Sequence, residues 1–526
     1  MHLPDALLVR VLELLEWAPD TSAAVRATCS AWRSAHDAAL PRLEITADHL
    51  MLLHPPSSHT ARSQQPPGRA ATWRFSNVQE LQLFGLRSEL LEDVLRSMPL
   101  LNSLDIHWAY REMAVEALAA ATALRSLRLE HCRPTRQALL RIGELPGLHS
   151  LSLKDGHLHD LEQLETGAPN APIISIGSRF TALTSLSLDL YGAEDLDSDA
   201  VSRLCSLTLL RHLGMGCSRW SDSGQAFVSM LRGCTALTSL DICEMSSGEY
   251  RSFFEYWGPG GLLNVGMERQ IMQAIGSLPN LTSFKADDFE YWKGRYDHIY
   301  SDYPLPDYVC CLGKHVDELS GLTCLSTLSL ANAAGFTLES LQALCTLTTL
   351  TSLDMSDCVG RQTWPGQLER PDRPSVGMLG ALTGLTSLDL HTSHSWWLWY
   401  NLDEEDLWGL GELTRLTSLD LSYTGYEQEI RDDPEMVDFA LGISRYGAGD
   451  SAMAALSKLT ALTDIVLQGL ELKGLIATDA TLLALASLPA LRSAALTECV
   501  ELVRYHQPHA TSDEGRAALE SSTRSS

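Results

Sequence analysis

The stretch Leu416-Thr-Ser-Leu-Asp-Leu-Ser422 decides the fold, because its pattern L-x-x-L-x-L returns along most of the 526-residue chain. A near-identical copy reads Leu385-Thr-Ser-Leu-Asp-Leu-His391. A short unit that keeps recurring indicates a repeat architecture, in which each unit contacts only its neighbours. Fourteen copies occur in order, and their first apolar residues are Val78, Leu101, Leu124, Leu148, Leu183, Leu210, Leu237, Leu281, Leu325, Leu350, Leu385, Leu416, Leu462 and Leu491.

Each copy predicts a short strand, because apolar side chains at every second residue face one side of a strand. Amphipathic segments with helical spacing precede the copies, for example residues 90–95 and 453–459. The pattern resembles that of leucine-rich repeat proteins. The resemblance implies an α/β solenoid of horseshoe form, with parallel strands inside and helices outside. Cys132, Cys358 and Cys499 stand where that family places Asn or Cys; most copies lack such a residue, so irregular turns are expected there.

One side chain in the middle of each strand is expected to point into the inner face. Three consecutive copies align Asp354, Asp389 and Asp420, with about 4.8 Å between neighbouring strands. We predict that this strip, with His391 beside it, binds a basic segment of a client protein. Alternatives are hydrogen bonds to flanking serine hydroxyls, or a hard cation. The fourteen inner residues are Gln82, Asp105, Arg128, Ser152, Ser187, Gly214, Asp241, Lys285, Ser329, Asp354, Asp389, Asp420, Val466 and Ala495.

The repeats are uneven in length, and the long ones carry inserts between a strand and the next helix. Inserts on one face of a repeat protein often form its binding surface. The inserts here are rich in aromatic residues, which offer large contact areas. We predict that Trp396, Trp397 and Trp399 contact the client, unless such rings fill small cores within the inserts. Acidic residues that would strengthen the same field are Asp403, Glu404, Glu405, Asp406 and the run 427–435.

A separate helical module is predicted for residues 1–45. It opens with L-P-x-x-L-L at residues 3–8, and V-x-x-x-C-x-x-W-R follows at residues 25–33. These residues resemble an F-box, which implies docking to the Skp-type adaptor of a cullin–RING ubiquitin ligase. The alternative is a helical cap on the solenoid, with residues 42–45 as a capping strand. By the resemblance, the residues that face the adaptor are Leu3, Pro4, Leu7, Leu8, Val11 and Trp32.

The remaining boundaries follow from composition. Residues 46–76 are rich in Pro and Ser and are predicted to be a linker. The solenoid is placed at residues 77–500, and residues 501–526 form a polar tail that is expected to be disordered.

The acidic composition argues against nucleic acid as a partner. The formal net charge is −27, from 66 acidic and 39 basic residues, and such a surface repels nucleic-acid phosphates. Neither a signal peptide nor a membrane span of about 18 apolar residues is expected. The twelve cysteines show no metal-binding spacing and suit a reducing compartment, so cytoplasmic or nuclear localisation is expected. No metal or cofactor is predicted.

No catalytic motif is present, so we expect a non-enzymatic protein. The resemblance implies a substrate-recognition subunit of an SCF-type ubiquitin ligase. One alternative is a cytoskeletal or ciliary interaction scaffold without ligase function. A further alternative is a GTPase-activating solenoid that offers Arg128, the one arginine among the mid-strand residues.

Overall fold

The fold was analysed in a computed structural model of the chain. The structure describes residues 42–46, 77–84, 91, 95, 98–107, 118, 121–132, 136–154, 180–190, 198–217, 224–243, 265–286, 312–331, 333–360, 375–391, 404–422, 454–467 and 479–495. The chain divides into two compact units, residues 1–218 and 219–526.

The first unit is built on a parallel sheet whose strands follow chain order, within the residues described. Each strand pairs with the next without a register shift. The side chains alternate, so that Leu81, Leu104 and Leu127 face the core and are at most 1% exposed. The strands are β1 Arg42–Thr46, β2 Glu80–Phe84, β3 Ser103–His107, β4 Ser126–Glu130, β5 Ser150–Lys154, β6 Ser185–Leu190 and β7 His212–Cys217.

Two described helices cover the first unit's sheet, α1 Arg136–Ile142 and α2 Ser198–Leu204. They bury Leu139, Ile142, Val201 and Leu204 completely. Each buried leucine or isoleucine contributes about 1.5–3 kcal/mol relative to an exposed one. The core of the unit therefore lies between the strands and the helices, and the other face of the sheet carries polar residues.

The second unit repeats this plan along a second run of parallel strands. Its inner strands are β8 Ser239–Cys243, β9 Ser283–Lys285, β10 Thr327–Ser329, β12 Ser352–Asp354, β14 Ser387–Asp389, β15 Ser418–Asp420, β16 Asp464–Val466 and β17 Ser493–Ala495. A separate two-stranded parallel pair joins β11 Ala334–Phe336 to β13 Val359–Gly360.

The outer layer of the second unit mixes α-helices with 3-10 helices. Each element packs on the next along the chain. Glycines bring some of these backbones unusually close: an added Cβ on Gly409 would lie 2.1 Å from the carbonyl oxygen of Gly377. The elements are α3 Gly224–Gly233, α4 Val265–Gly276, η1 Leu312–Gly321, α5 Leu338–Leu344, η2 Val376–Ala381, α6 Glu404–Leu410, η3 Ala454–Lys458 and α7 Asp479–Ala486.

All fourteen copies of the sequence pattern form the predicted strands, and their mid-strand residues align within each unit as expected. Within residues 453–459, predicted to be helical, Ala454–Lys458 form the 3-10 helix η3. The segment considered as a capping strand is β1, which pairs with β2. Residues 47–79 therefore connect two adjacent strands of one sheet.

Candidate functional site

The inner strands of the second unit are held together by a hydrogen-bond ladder just before each strand. Thr386 Oγ1 donates to the carbonyl of Thr351 over 2.9 Å, and Thr417 Oγ1 donates to the carbonyl of Thr386 over 2.8 Å. The backbone N–H groups of Thr417 and Ser418 donate to the same Thr386 carbonyl. That carbonyl thus accepts three hydrogen bonds. The hydroxyl contact recurs at Thr282, Ser326, Thr351 and Thr463.

This ladder fixes the strands on which the predicted aspartate strip stands. Asp354, Asp389 and Asp420 occupy equivalent positions on β12, β14 and β15. Oδ1 of each accepts a hydrogen bond from the backbone N–H two residues further on, over 2.9, 2.8 and 2.8 Å in turn. Within the described part of the chain, no donor reaches Oδ2 of Asp389 or Asp420. Asp389 and Asp420 therefore each present a fixed carboxylate with Oδ2 left for a partner.

One carboxylate oxygen of the strip accepts a hydrogen bond from a hydroxyl of the same protein. Ser329 Oγ on β10 donates to Asp354 Oδ2 over 2.8 Å. At the other two aspartates it is the backbone of His391 and Ser422 that donates. Among the described residues, a serine hydroxyl therefore donates to the strip only at Asp354, and the alternative of hydroxyl bonds along the whole strip does not hold.

The pKa of Asp389, the central residue of the strip, is perturbed by its surroundings. Burial raises the pKa of Asp389 above its ordinary value, and the neighbouring charges of Asp420 and Asp354 raise the pKa further. The backbone hydrogen bond from His391 and the charge of His391 act in the opposite direction but do not cancel the rise. Perturbed carboxyl pKa values are more frequent at binding sites than elsewhere on a surface.

The inner face of the first unit is arranged differently. His107 lies between two carboxylates, with Nε2 3.0 Å from Asp105 Oδ1 and Nδ1 3.2 Å from Glu130 Oε2. Arg128 Nη2 donates to Glu130 Oε2 over 2.7 Å, and the His107 ring stacks on Phe84 with centroids 4.6 Å apart. Burial acts to raise the pKa of Glu130, but the hydrogen bond and charge of Arg128 outweigh it, and the pKa is lowered.

Neighbouring residues extend this network along the first unit's face. Gln82 Nε2 donates to Asp105 Oδ2 over 3.3 Å, and Arg42 Nη2 donates to Gln82 Oε1 over 2.9 Å. Arg128 Nε and Asp105 Oδ1 lie 3.8 Å apart, both buried and without hydrogen-bond geometry. The cations and carboxylates of this face thus engage each other. Arg128, considered as an arginine for a GTPase, is held inside the network.

Two cysteines mark the turn that follows a strand. Cys132 Sγ donates to the carbonyl of Ile106 over 3.4 Å, and Cys358 Sγ donates to that of Leu330 over 3.0 Å. Each cysteine follows a residue with positive φ, His131 at 51° and Asp357 at 52°. Among the described residues, one such cysteine turn follows β4 in the first unit and one follows β12 in the second, while the pairing of parallel strands recurs throughout both units. Both units are leucine-rich repeat solenoids.

Comparisons with known proteins add no closer assignment to this leucine-rich repeat chain. No family profile and no curated protein matches it. Similar solved structures include a Listeria monocytogenes internalin, at 16% identity over 77% of this chain and 95% of the internalin, with a TM-score of 0.38. A Leptospira interrogans leucine-rich repeat protein is 15% identical over 75% of this chain and 84% of its own, with a TM-score of 0.33.

A third similar structure is the plant peptide hormone receptor RGFR1 in complex with RGF2. It is 12% identical, with a TM-score of 0.33, and the match covers 80% of this chain but 55% of the receptor. TM-scores this low carry no argument, so the leucine-rich repeat assignment rests on the strand register and turn geometry.

The remaining predicted site residues divide into two groups. Asp406, expected to add to the field near the strip, is fully buried in α6 of the outer layer. It accepts hydrogen bonds from Ser375 Oγ and the Gly377 N–H over 2.6 and 3.1 Å, so that expectation was wrong. A second group lies outside the described residues: Leu3, Pro4, Leu7, Leu8, Val11, Trp32, Trp396, Trp397 and Trp399.

Membrane-spanning helices and metal-binding clusters are both absent from the described residues. No helix there is long and apolar enough to span a bilayer. No group of three or more His, Cys, Asp or Glu residues in those ranges is arranged to hold a metal ion.

Sequence reasoning missed the threonine ladder, although its signal was present. Threonine follows the first leucine in the copies at Leu350, Leu385, Leu416 and Leu462. A surface threonine that recurs at one position of a repeat has a structural role, because a hydroxyl there can reach the carbonyl of the preceding unit. The recurrent threonine therefore positions the neighbouring aspartates.

Proposed function

We propose that the inner face of the second unit binds a protein client through a basic segment. The observation that carries this proposal is the alignment of Asp354, Asp389 and Asp420 on adjacent strands, with Oδ2 of Asp389 and of Asp420 left for a partner. Repeat solenoids present extended surfaces of this kind to their partners. Lys and Arg side chains are the complementary groups, because they form charge-assisted hydrogen bonds with carboxylates.

The distribution of charge supports a basic client at this unit. Residues 1–218 contain 25 acidic and 19 basic residues, a net charge of −6. Residues 219–526 contain 41 acidic and 20 basic residues, a net charge of −21. A field of one sign steers an oppositely charged partner and raises its association rate. The acidic bias is thus concentrated in the unit that carries the strip.

The contrast between the two inner faces supports the same proposal. On the first unit, Glu130 is paired with Arg128 and His107. On the second, Asp389 keeps two like charges beside it, and burial followed by those charges raises its pKa. A repulsive arrangement costs folding free energy, and proteins retain such costs mainly at functional sites.

A pair of charge-matched variants tests the client-binding face. Asp354→Asn, Asp389→Asn and Asp420→Asn are combined in one protein, and Glu339→Gln, Glu405→Gln and Glu412→Gln in the control. The control removes the same charge from exposed positions on the outer layer. The probe is a set of fluorescein-labelled peptides rich in Lys and Arg, with binding followed by anisotropy at several salt concentrations.

We expect the wild-type protein and the control to bind a subset of these peptides with strong salt dependence. The Asn triple variant should bind them at least about tenfold more weakly, with a shallower salt dependence. Equal binding by the two variants would show that the attraction is a general effect of net charge, and would overturn the assignment of the face.

We further propose that the protein is the substrate receptor of an SCF-type ubiquitin ligase in the cytoplasm or nucleus. The F-box-like residues Leu3, Pro4, Leu7, Leu8, Val11 and Trp32 would dock the Skp-type adaptor and, through it, a cullin. Support comes from the motif's residues and from its place directly ahead of a leucine-rich repeat unit. Such a receptor needs no catalytic group, because holding a client near the ligase raises its effective concentration.

A non-ligase scaffold remains a second candidate, and one observation favours it. Strand β1 begins at Arg42 and is the first described strand of the sheet. The residues before it, which the sequence predicts to be helical, precede this strand as a terminal cap of a solenoid would. A scaffold would bind the basic client but would not bind the adaptor.

A further inference from the structure

One buried carboxylate of the outer layer joins two consecutive repeats of the second unit. Asp406 lies on α6, the outer element of the repeat whose inner strand is β15, and its side chain is fully buried. Its Oδ1 accepts a hydrogen bond from Ser375 Oγ over 2.6 Å and another from the Gly377 N–H over 3.1 Å. Ser375 and Gly377 stand at the start of η2, the outer element of the repeat that carries β14. Both bonds therefore cross from one repeat to the next.

These bonds restrict how η2 and α6 can move against each other. Burial of a carboxylate opposes folding unless hydrogen bonds replace the water that it loses. Hydrogen bonds to a charged acceptor are short, strong and directional, so they fix the relative position of the groups that they join. Apolar packing, which could fill the same space, carries no such directional requirement. Asp406 therefore sets the geometry of the η2–α6 junction.

Glycines bring the same two elements into backbone contact. An added Cβ on Gly377 would lie 2.8 Å from Cα of Asp406, and one on Gly380 would overlap the carbonyl oxygen of Gly409. At the preceding junction, between α5 and η2, a thiol donates instead, from Cys345 Sγ to the carbonyl of Met378 over 3.1 Å. A thiol is a weak donor. The η2–α6 junction is therefore held by charge-assisted hydrogen bonds and by backbone packed on backbone.

A buried core connects this junction to the inner strands. A close-packed interior transmits the displacement of one element to its neighbours. On the inner side, Thr417 Oγ1 and the Thr417 N–H both donate to the carbonyl of Thr386. The two repeats are thus joined at both layers. The leucines of η2, β14, α6 and β15 that are at most 1% exposed include Leu379, Leu388, Leu407 and Leu419.

The same two repeats carry the aspartates whose Oδ2 atoms are left for a partner, Asp389 on β14 and Asp420 on β15. We propose that Asp406 is a positioning residue, which holds η2 against α6 and thereby fixes the separation of Asp389 and Asp420 on the inner face. The consequence for client binding rests on the proposed function. The coupling of the outer layer to the inner strands rests on the contacts alone.

A fixed separation matters to a basic client that bonds both carboxylates. The strands that carry them lie about 4.8 Å apart, and a hydrogen bond weakens when its donor and acceptor separate beyond about 3.2 Å. A binding face that is already ordered costs the complex less free energy than one that must be ordered on binding. Asp406 therefore contributes to the site through geometry, and not through the field that its charge was expected to add.

Three single variants of the full-length chain test this role. Asp406→Ala removes the acceptor, and Asp406→Asn keeps an oxygen that can accept both hydrogen bonds while it removes the charge. Glu405→Gln removes the same charge from an exposed position on the same helix. Amide hydrogen exchange is followed by mass spectrometry in β14 and β15. The internal reference is β9, where the N–H groups of Thr282 and Ser283 donate to the carbonyl of Thr238.

We expect Asp406→Ala to speed exchange in β14 and β15 by about tenfold or more, and to leave β9 within about threefold of wild type. Asp406→Asn and Glu405→Gln should exchange like wild type in all three strands. A rise confined to η2 and α6 would show that Asp406 stabilises the outer layer only, and would overturn the inference. An equal rise in β9 would show general destabilisation and would overturn it as well.

Ser375→Ala replaces Asp406→Ala if that variant does not fold. It removes one of the two donors to Asp406 and leaves every charge in place. We expect the same pattern of exchange, with a smaller rise in β14 and β15. Wild-type exchange in both strands of a folded Ser375→Ala protein, with faster exchange in η2, would contradict the coupling.

Binding of the fluorescein-labelled basic peptides separates this inference from the proposed function. Asp406→Ala should weaken peptide binding by about fivefold or more, because the binding face is no longer ordered in advance. Asp406→Asn and Glu405→Gln should bind like wild type. Faster exchange in β14 and β15 with unchanged peptide affinity would overturn the positioning role. No peptide binding by the wild-type chain would contradict the proposed function, while the exchange pattern would still uphold or overturn the coupling.

Discussion

At the scale of single residues, Asp389 is the position where stability and binding are opposed. Its carboxylate is partly buried between two others, and its Oδ1 is held by the N–H of His391. Asparagine keeps the oxygen that accepts this hydrogen bond and removes the charge. Asp389→Asn therefore isolates the electrostatic cost of the strip from its hydrogen bonding.

The raised pKa of Asp389 gives its contribution a definite sign. Between the ordinary carboxyl pKa and the raised native pKa, the folded state binds more protons than the unfolded state, so stability falls as pH rises through this window. We expect Asp389→Asn to be more stable than wild type at neutral pH and to lack this fall. Denaturant unfolding of both proteins from acid to neutral pH measures the difference.

The exposed residue Glu405, expected from the sequence to add to the field of the strip, instead lies on α6 of the outer layer and provides the control, because Glu405→Gln removes one charge from that layer and not from the inner strands. A stability curve for Asp389→Asn that follows the Glu405→Gln curve at every pH would contradict the electrostatic role assigned to Asp389.

Asp357 tests the turn that precedes Cys358. Its φ of 52° lies in the left-handed region, which costs most residues about 1–2 kcal/mol but costs glycine nothing. We expect Asp357→Val to be less stable than Asp357→Gly by about that amount, as measured by equilibrium unfolding. Equal stabilities would show that the turn relaxes and that the left-handed conformation is not required.

At the scale of elements, the outer layer depends on close contact between backbones. Gly409 on α6 approaches Gly377 on η2 so closely that its added Cβ would lie 2.5 Å from the Gly377 carbonyl carbon. We expect Gly409→Ala to cost about 1–3 kcal/mol in unfolding free energy, because backbone cannot move aside as a side chain can. Thermal and denaturant unfolding both report this loss.

The matched control for this contact is Gly233→Ala in α3. A Cβ at Gly233 would meet no atom within 4 Å, and alanine is favoured over glycine within helices by about 1 kcal/mol. A stabilised Gly233→Ala beside a destabilised Gly409→Ala is the expected pair of results. If both substitutions stabilise the protein, the outer elements are not held as closely as the structure places them.

The elements also show how far a sequence can predict such a fold. The strands were predictable, because alternation of Leu81, Gln82 and Leu83 has only one burial pattern in a half-buried strand. The register of Asp354, Asp389 and Asp420 followed from aligning the copies of the L-x-x-L-x-L pattern. The 3-10 helix η3 was not predictable, because leucines three or four residues apart suit both helix types.

Side-chain roles were harder to predict than strands. Asp406 belongs to an acidic run in the sequence, and nothing in that run distinguishes a buried carboxylate from a solvated one. Its role became clear only when α6 was seen to place it against Ser375 and Gly377. The turns at Cys132 and Cys358, in contrast, were predictable. Leucine-rich repeat proteins place Asn or Cys at this position, and a thiol there can donate a hydrogen bond to the preceding repeat.

At the scale of the whole molecule, the two solenoid units differ in charge and in the state of their inner faces. The first unit has a net charge of −6 and a face whose carboxylates are paired, and the second has −21 and the aspartate strip. The functions we propose divide in the same way: adaptor binding by the residues ahead of the first unit, and client binding by the second unit.

The most direct test of this account is binding of the full-length chain to a purified Skp-type adaptor, measured by isothermal titration calorimetry. We expect a 1:1 complex. Leu7→Asp combined with Leu8→Asp should weaken it by at least about 100-fold, because two apolar contacts of about 2 kcal/mol each are lost, while the thermal unfolding of the repeats stays unchanged. The Glu339→Gln, Glu405→Gln and Glu412→Gln control should bind like wild type. No binding by the wild-type chain, or equal binding by the Leu7→Asp and Leu8→Asp variant, would contradict the account.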